Sequence, residues 1–262
     1  MRVPGKEEFS ETIRYFDSQL QRHRVEVRLG TRVDQALLAA GAYDDVIVAT
    51  GIVPRRPAIA GIDGANVLSY VDVLRGAPVG RRVAVIGAGG IGFDVSEFLL
   101  HRPGEPLPMP RDAWLDEWGV DLAVRERGGL KPPVPAQPVR DIWLLQRKAG
   151  KLGMGLGKTS GWVHRATLAR NNVKMLGGVS YLAVSERGLK IARDGVEEWL
   201  EVDTVVVCAG QESLRDLYPA TAAGTANAGN GPRFHVIGGA KVATELDAKR
   251  AIREGAEVAA AL

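Results

Sequence analysis

Apolar residues recur at Phe9, Ile13, Phe16 and Leu20 between charged positions, the spacing of an amphipathic helix over residues 7–23. Val25, Val27 and Leu29 then alternate with Glu26 and Arg28, which predicts a half-buried strand. A short helix over Gln35–Ala40 leads to the apolar run at 46–49, a buried strand. It stops at Thr50 and Gly51, and Pro54 and Pro57 exclude a helix there.

Residues 80–100 form the clearest unit. An apolar strand at 83–86 runs into a glycine turn at Gly87, Gly89 and Gly92, and a helix continues from Phe93 to 100 with Val95, Phe98 and Leu99 on one side. Prolines 103, 106, 108 and 110, and a second cluster over 132–138, bracket a helical stretch expected at 111–126. This block reads as an insertion that joins no sheet. Further strands are expected at 142–146, 174–176, 179–184, 189–193, 199–202, 205–208 and 234–237. A glycine-rich loop at 150–161 precedes a helix at 162–170, the segment 219–232 reads as loop, and a last helix spans 244–262 with Thr244 and Asp247 spaced as a capping box.

The stretch 44–51 echoes the stretch 203–210. Each has an acidic start, a buried strand and a closing glycine, Gly51 and Gly210. Two copies of one closing strand suggest two nucleotide-binding folds in one chain; the plainer reading is that any two buried strands look alike.

Composition narrows the class. With 262 residues, 45% hydrophobic and 25% charged, the chain reads as a soluble globular protein of one large or two ordinary domains. Its 32 glycines and few aromatics favour a layered α/β fold. A net charge of +3 with no basic run argues against nucleic acid. One cysteine, Cys208, excludes an internal disulfide and any all-cysteine metal or iron–sulfur site, and its buried strand makes packing its expected role. No apolar run approaches the roughly 20 residues of a membrane helix, and the first residues have no apolar core of a secretory signal, so a cytoplasmic protein is expected.

The chemistry is carried by Gly87-Ala88-Gly89-Gly90-Ile91-Gly92, a G-x-G-x-x-G between a strand and a helix. The first glycine permits the tight turn, the second lets a pyrophosphate approach the backbone, and the third lets helix and strand pack closely. Free N–H groups at the helix start then face the phosphates. An acidic residue about 20 positions on would hold the ribose of NAD. That count lands near Asp112 and Asp116, inside the proline-flanked insertion and away from any strand end. The second strand is displaced to 142–146 and ends in Gln146, Arg147 and Lys148. Two cations there favour the 2′-phosphate of NADPH over NADH, the alternative being a solvated loop pair. Lys158 can add to phosphate neutralisation, although Leu152 stands where a phosphate loop ending in Gly157-Lys158-Thr159 needs glycine. His23, His101, His164 and His235 are scattered and suggest no metal site.

Several stretches resemble the C-terminal part of bacterial NADPH-dependent 2,4-dienoyl-CoA reductases, flavoenzymes of the Old Yellow Enzyme-related group that includes trimethylamine dehydrogenase. They are Pro4 to Phe9, Ala49 to Arg55, Val67 to Tyr70, Val83 to Asp94, Leu145 to Lys148, and Gly155 to Thr159 with Gly161-Trp162 and His164-Arg165. Val207 to Glu212, Val236 to Gly239, Glu245 to Ala248 and Arg250 to Ile252 complete the match, which covers essentially the whole chain.

The resemblance implies an α/β, Rossmann-like NADPH-binding domain over 67–212 inserted in a truncated FAD-binding domain, whose parts are 1–66 and 213–262. It implies that Ala49, Thr50 and Gly51, Ala209 and Gly210, and Gly238 and Gly239 line cofactor, with Ala240 where many flavoproteins carry Asp. Electrons would pass from NADPH to FAD and through an iron–sulfur cluster to FMN in an N-terminal barrel, serving breakdown of unsaturated fatty acids. The barrel, the cluster cysteines and the first FAD fingerprint are not in this sequence, so a fragment or a partner-dependent subunit is expected, with FAD binding weakened. No residue here is expected to act as catalytic acid or base. A stand-alone NADPH-binding module, or the same domain of an amine or enoate oxidoreductase, are the other readings.

Overall fold

The computed structural model describes residues 2–102, 104–105, 108–134, 137–218, 232–244 and 247–262. The prolines at 103, 106 and 135, all but residue 232 of the loop expected over 219–232, and the residues 245–246 lie outside them. The chain divides into two compact units, one of residues 1–21 and 56–209, the other of 22–55 and 210–262. The divisions thus fall at 55/56 and 209/210, against 66/67 and 212/213 from the sequence, and residues 1–21 join the larger unit.

The larger unit opens with α1 (Phe9–Arg22). This helix is where its periodicity places it, but none of its residues is buried. The smaller unit holds α2 (Gln35–Ala40), capped by the Asp34 carboxylate on the Leu37 N–H at 2.8 Å, then β1 (Asp45–Val48) and β2 (Ile52–Pro54).

Back in the larger unit, β3 (Val67–Ser69) leads into α3 (Tyr70–Arg75), where Ser69 and Asp72 form a capping box. Next come β4 (Arg82–Ile86), α4 (Gly90–Leu100), α5 (Arg111–Trp118), β5 (Asp141–Leu145), α6 (Gly161–Arg170) and β6 (Lys174–Leu176). Three antiparallel strands follow, β7 (Ser180–Ser185), β8 (Gly188–Arg193) and β9 (Val196–Leu200), and then β10 (Thr204–Val207). The parallel sheet runs β3-β10-β4-β5-β6.

Alternation along β4 shows how the layers pack. Val83 and Val85 face a core shared with Phe93, Val95, Leu99 and Leu168 of the helices. Ala84 and Ile86 face the opposite core, shared with Val184, Leu189, Ile191 and Leu200 of the antiparallel strands. Both faces of the sheet are covered, which is why its strands read as unbroken apolar runs.

The smaller unit is completed by β11 (Gln211–Ser213), antiparallel to β2, by β12 (Arg233–Val236), parallel to β1, and by α7 (Gly238–Lys241) and α8 (Ala248–Ala261).

Four expectations need correction. Residues 25–29 form no strand; Leu29 is 88% exposed and the segment pairs with nothing among the described residues. The insertion helix ends at Trp118, short of 126, because Gly119 adopts the left-handed conformation and its N–H turns back to the carbonyls of Leu115 and Asp116. The last helix starts at Ala248, and Asp247 is itself the N-cap, accepting from the Arg250 N–H at 2.7 Å. The strand expected at 199–202 lies at Val196–Leu200.

Candidate functional site

Sheet order locates the site. From β4 the chain steps outward to β5 and β6, then returns to β10 on the other side of β4. That reversal opens a crevice at the carboxyl end of β4, the usual ligand position of an open parallel sheet. Gly87 follows β4 directly, and its N–H bonds the Leu145 carbonyl at 2.9 Å. Its φ of +108° and its approach to the end of β10 both require glycine: a Cβ would lie 2.4 Å from the Cys208 carbonyl oxygen and 3.3 Å from the Ala209 nitrogen. Gly92 is the contact glycine, since a Cβ there would stand 1.8 Å from the Gly87 carbonyl oxygen. Around Gly89 and Gly90 there is open space for a Cβ. Ala88 and Ile91 pack against the helix-side core.

Gly89 is the N-cap of α4, so no side chain satisfies the first N–H groups of that helix. The turn therefore offers backbone donors, open space and the positive end of an 11-residue helix in one place.

Ile86 of β4 pairs with Leu145 of β5, so Arg147 and Lys148 follow the strand end beside the glycine turn. Their backbone is held: the Gln146 amide donates to the Lys148 carbonyl at 2.8 Å, and the Gly178 N–H donates to it at 3.1 Å. Both side chains are exposed, and neither joins an ion pair among the described residues. Asp112 and Asp116 stand on α5, where Asp116 pairs with Lys131. Lys158 is exposed in the loop before α6, and no hydrogen bond or ion pair joins it to the glycine turn among the described residues.

In the smaller unit, β1 and β12 are parallel with Val48 opposite Val236, which brings their following turns to one edge. Ala49, Gly51, Gly238 and Gly239 line a cleft of about 420 Å³ there. The Thr50 hydroxyl is turned to the Leu214 carbonyl at 2.6 Å. The Gly238 N–H donates to the Glu254 carboxylate at 2.6 Å, so a side chain of α8 already occupies the first donor of α7. Gly210 lies in this unit, against the Arg55 guanidinium, and its carbonyl accepts the Arg55 N–H at 3.0 Å. Ala240 is buried and its carbonyl accepts from Arg215 at 2.6 Å, so that position contributes backbone only.

Sequence reasoning passed over a pair on α4 and α6, a buried Glu97 and a half-buried His164. The His164 Nδ1 lies 2.7 Å from a Glu97 carboxylate oxygen. Burial pushes the Glu97 carboxyl above its usual range, and the His164 hydrogen bond opposes the shift. The signal was a carboxylate on an apolar helix, between Val95, Phe98 and Leu99.

The sequence profile of the pyridine nucleotide-disulphide oxidoreductase family matches residues 14–231. The chain belongs to that family. Its fold is accordingly Rossmann-like, of the FAD- and NAD(P)-binding kind. The "disulphide" of the family name finds no counterpart in these residues: Cys208 is the only cysteine, it is buried, and burial pushes its thiol up to about 12. A metal reductase of Desulforamulus reducens is 25% identical over 225 residues, 83% of this chain and 32% of that protein. An NADH oxidase of Thermoanaerobacter brockii is 34% identical over 104 residues, 38% of this chain and 16% of that protein. The solved structure of a 2-naphthoyl-CoA reductase complex superposes with a TM-score of 0.73 at 24% identity, covering 97% of this chain and 32% of that one, a likeness of fold. The chain thus spans a third or less of these relatives. Among the described residues no helix is long and apolar enough to cross a membrane, and no three His, Cys, Asp or Glu side chains group as metal ligands.

Proposed function

We propose that this chain is the NADPH-to-FAD segment of a larger flavoenzyme of the 2,4-dienoyl-CoA reductase type, whose barrel with FMN and iron–sulfur cluster is supplied elsewhere in the same protein or by a partner. The observation that carries the reading is the glycine turn at the sheet's reversal point with Arg147 and Lys148 beside it. The residues fit a dinucleotide: space opens at Gly89 and Gly90, where the pyrophosphate would approach, and closes at Gly87 and Gly92, where the fold needs contact.

Bound here, the nicotinamide would provide the reducing hydride and the flavin would be its acceptor. The chain's own task is to bind and orient. The N–H groups at the start of α4 hold phosphate, and Arg147 and Lys148 hold the 2′-phosphate through charge-assisted bonds. Ala209 stands at the end of β10, against the Gly87 turn. Ala49, Gly51, Gly238 and Gly239 would line the flavin, with Gly210 on the same unit. Its fit is partial, since Glu254 takes the Gly238 N–H and no second G-x-G-x-x-G is present in the sequence. No side chain here needs to act as acid or base.

Calorimetric titration of the 262-residue chain with NADPH, with and without FAD, tests this reading. Binding of NADPH in the absence of FAD supports it. Failure to bind NADPH under either condition overturns it.

A further inference from the structure

A second cavity, of about 870 Å³, lies in the larger unit at the far end of α4. It is lined by Glu97, Leu100 and His101 of the last turns of α4 and its end, by α5, by α6 and by the chain near Pro4. At about 1.5 Å per residue, Glu97 stands about 10 Å and Leu100 about 15 Å along α4 from Gly90 at the glycine turn. Its size is that of a small-molecule site.

The charges around it do not balance. Five carboxylates line the cavity, Glu7, Glu97, Glu105, Asp116 and Glu117, against one permanent cation, Arg102. Four of the five are accounted for. Glu97 holds His164 at 2.7 Å. Asp116 pairs with Lys131. Glu105 faces Arg102 at 4.0 Å and accepts its backbone N–H at 2.9 Å. Glu7 accepts the Gly5 N–H at 3.1 Å.

Glu117 is the exception. It is 8% exposed, and among the described residues it has no cation within 4.0 Å and no side-chain hydrogen bond. Its carboxylate lines the cavity with no protein donor among the described residues, so its donors come from whatever fills the cavity. It sits on α5 with Trp114 three residues before it and Trp118 one after. The Trp118 ring already carries the Arg170 guanidinium at 4.2 Å from its centroid. Trp114 also lines the cavity, and no cation is stacked on it among the described residues; it is 47% exposed.

We infer that this cavity binds a small organic cation, an ammonium group carried on an apolar body. The ammonium donates to Glu117, and the Trp114 face receives the charge or the apolar part. Leu100, Met109 and Val163 supply the remaining apolar wall. The site is separate from the dinucleotide turn and does not rest on the cofactor reading.

The test uses the 262-residue chain, with benzylammonium as probe and benzyl alcohol as its uncharged counterpart, both followed by calorimetry. Benzylammonium should bind at least tenfold more tightly than benzyl alcohol. Glu117→Gln, which keeps the side-chain volume, should remove that preference while leaving benzyl alcohol within twofold. Trp114→Ala, at an exposed position, should weaken both probes. Equal binding of the two probes by the unaltered chain, or no binding of either, overturns the inference without recourse to any variant. So does an undiminished preference in folded Glu117→Gln.

Discussion

Gly92 lies so close to Gly87 that a methyl group on it would stand 1.8 Å from the Gly87 carbonyl oxygen, while the same addition at Gly89 meets nothing within 4 Å. The two glycines of one motif are therefore glycine for different reasons. Gly92 serves the fold, and Gly89 leaves room beside it. Gly92→Ala should cost about 1–3 kcal/mol of stability, the usual penalty of overpacking. Gly89→Ala, at φ −81°, should melt with the unaltered chain and lose at least tenfold in NADPH affinity. Thermal melts with parallel nucleotide titrations separate the two. Equal loss of stability in both variants would contradict the assignment.

A second prediction concerns Glu97 and His164. Burial raises the Glu97 carboxyl, Asp94 adds to the rise, and His164 and Lys6 oppose it. His164→Ala leaves the ionised carboxylate without its partner and should cost about 1.5–3 kcal/mol near pH 8. The cost should shrink toward pH 5, because falling pH favours the protonated form of the raised Glu97 carboxyl. A group whose folded pKa is raised loses stability as pH rises through it, so the variant's penalty grows with pH. Melting curves at the two pH values check the sign, and a larger penalty at pH 5 would refute it.

Asp121 gives the opposite case. Arg125 and the backbone N–H groups of Ala123 and Arg125 hold its carboxyl at about 2. Its contribution is present above the ordinary carboxylate range and is lost as pH falls from about 4 through about 2. Asp121→Asn should therefore lower stability at neutral pH and flatten the acid limb of the stability profile in that window. A profile as steep as that of the unaltered chain would show that Asp121 is not among its causes.

What the sequence made legible follows from what each signal reports. The strand, turn and helix from Arg82 to Leu100 were readable because apolar run, glycine spacing and helical period agree there. The displacement of the second strand to Asp141–Leu145 was readable for the same reason, and with it the place of Arg147. The strand expected at Val25, Val27 and Leu29 failed because alternation reports a face that could be buried, not a neighbour to bury it. The pairing of β2 with β11 was hidden: each is three residues long, one ends at Pro54, and they join segments more than 150 positions apart. Glu117 was also hidden, since a carboxylate between two tryptophans on a charged helix looks solvated until the opposing wall is known.

The most direct test of the central claim is the pair of dissociation constants for NADPH and NADH, measured on the unaltered chain and on Arg147→Asp. The unaltered chain should prefer NADPH. The variant should lose at least tenfold in NADPH affinity, the scale of one charge-assisted bond, while NADH affinity changes little. Equal loss for both cofactors, or no loss for either, would contradict the placement of the 2′-phosphate at Arg147 and Lys148.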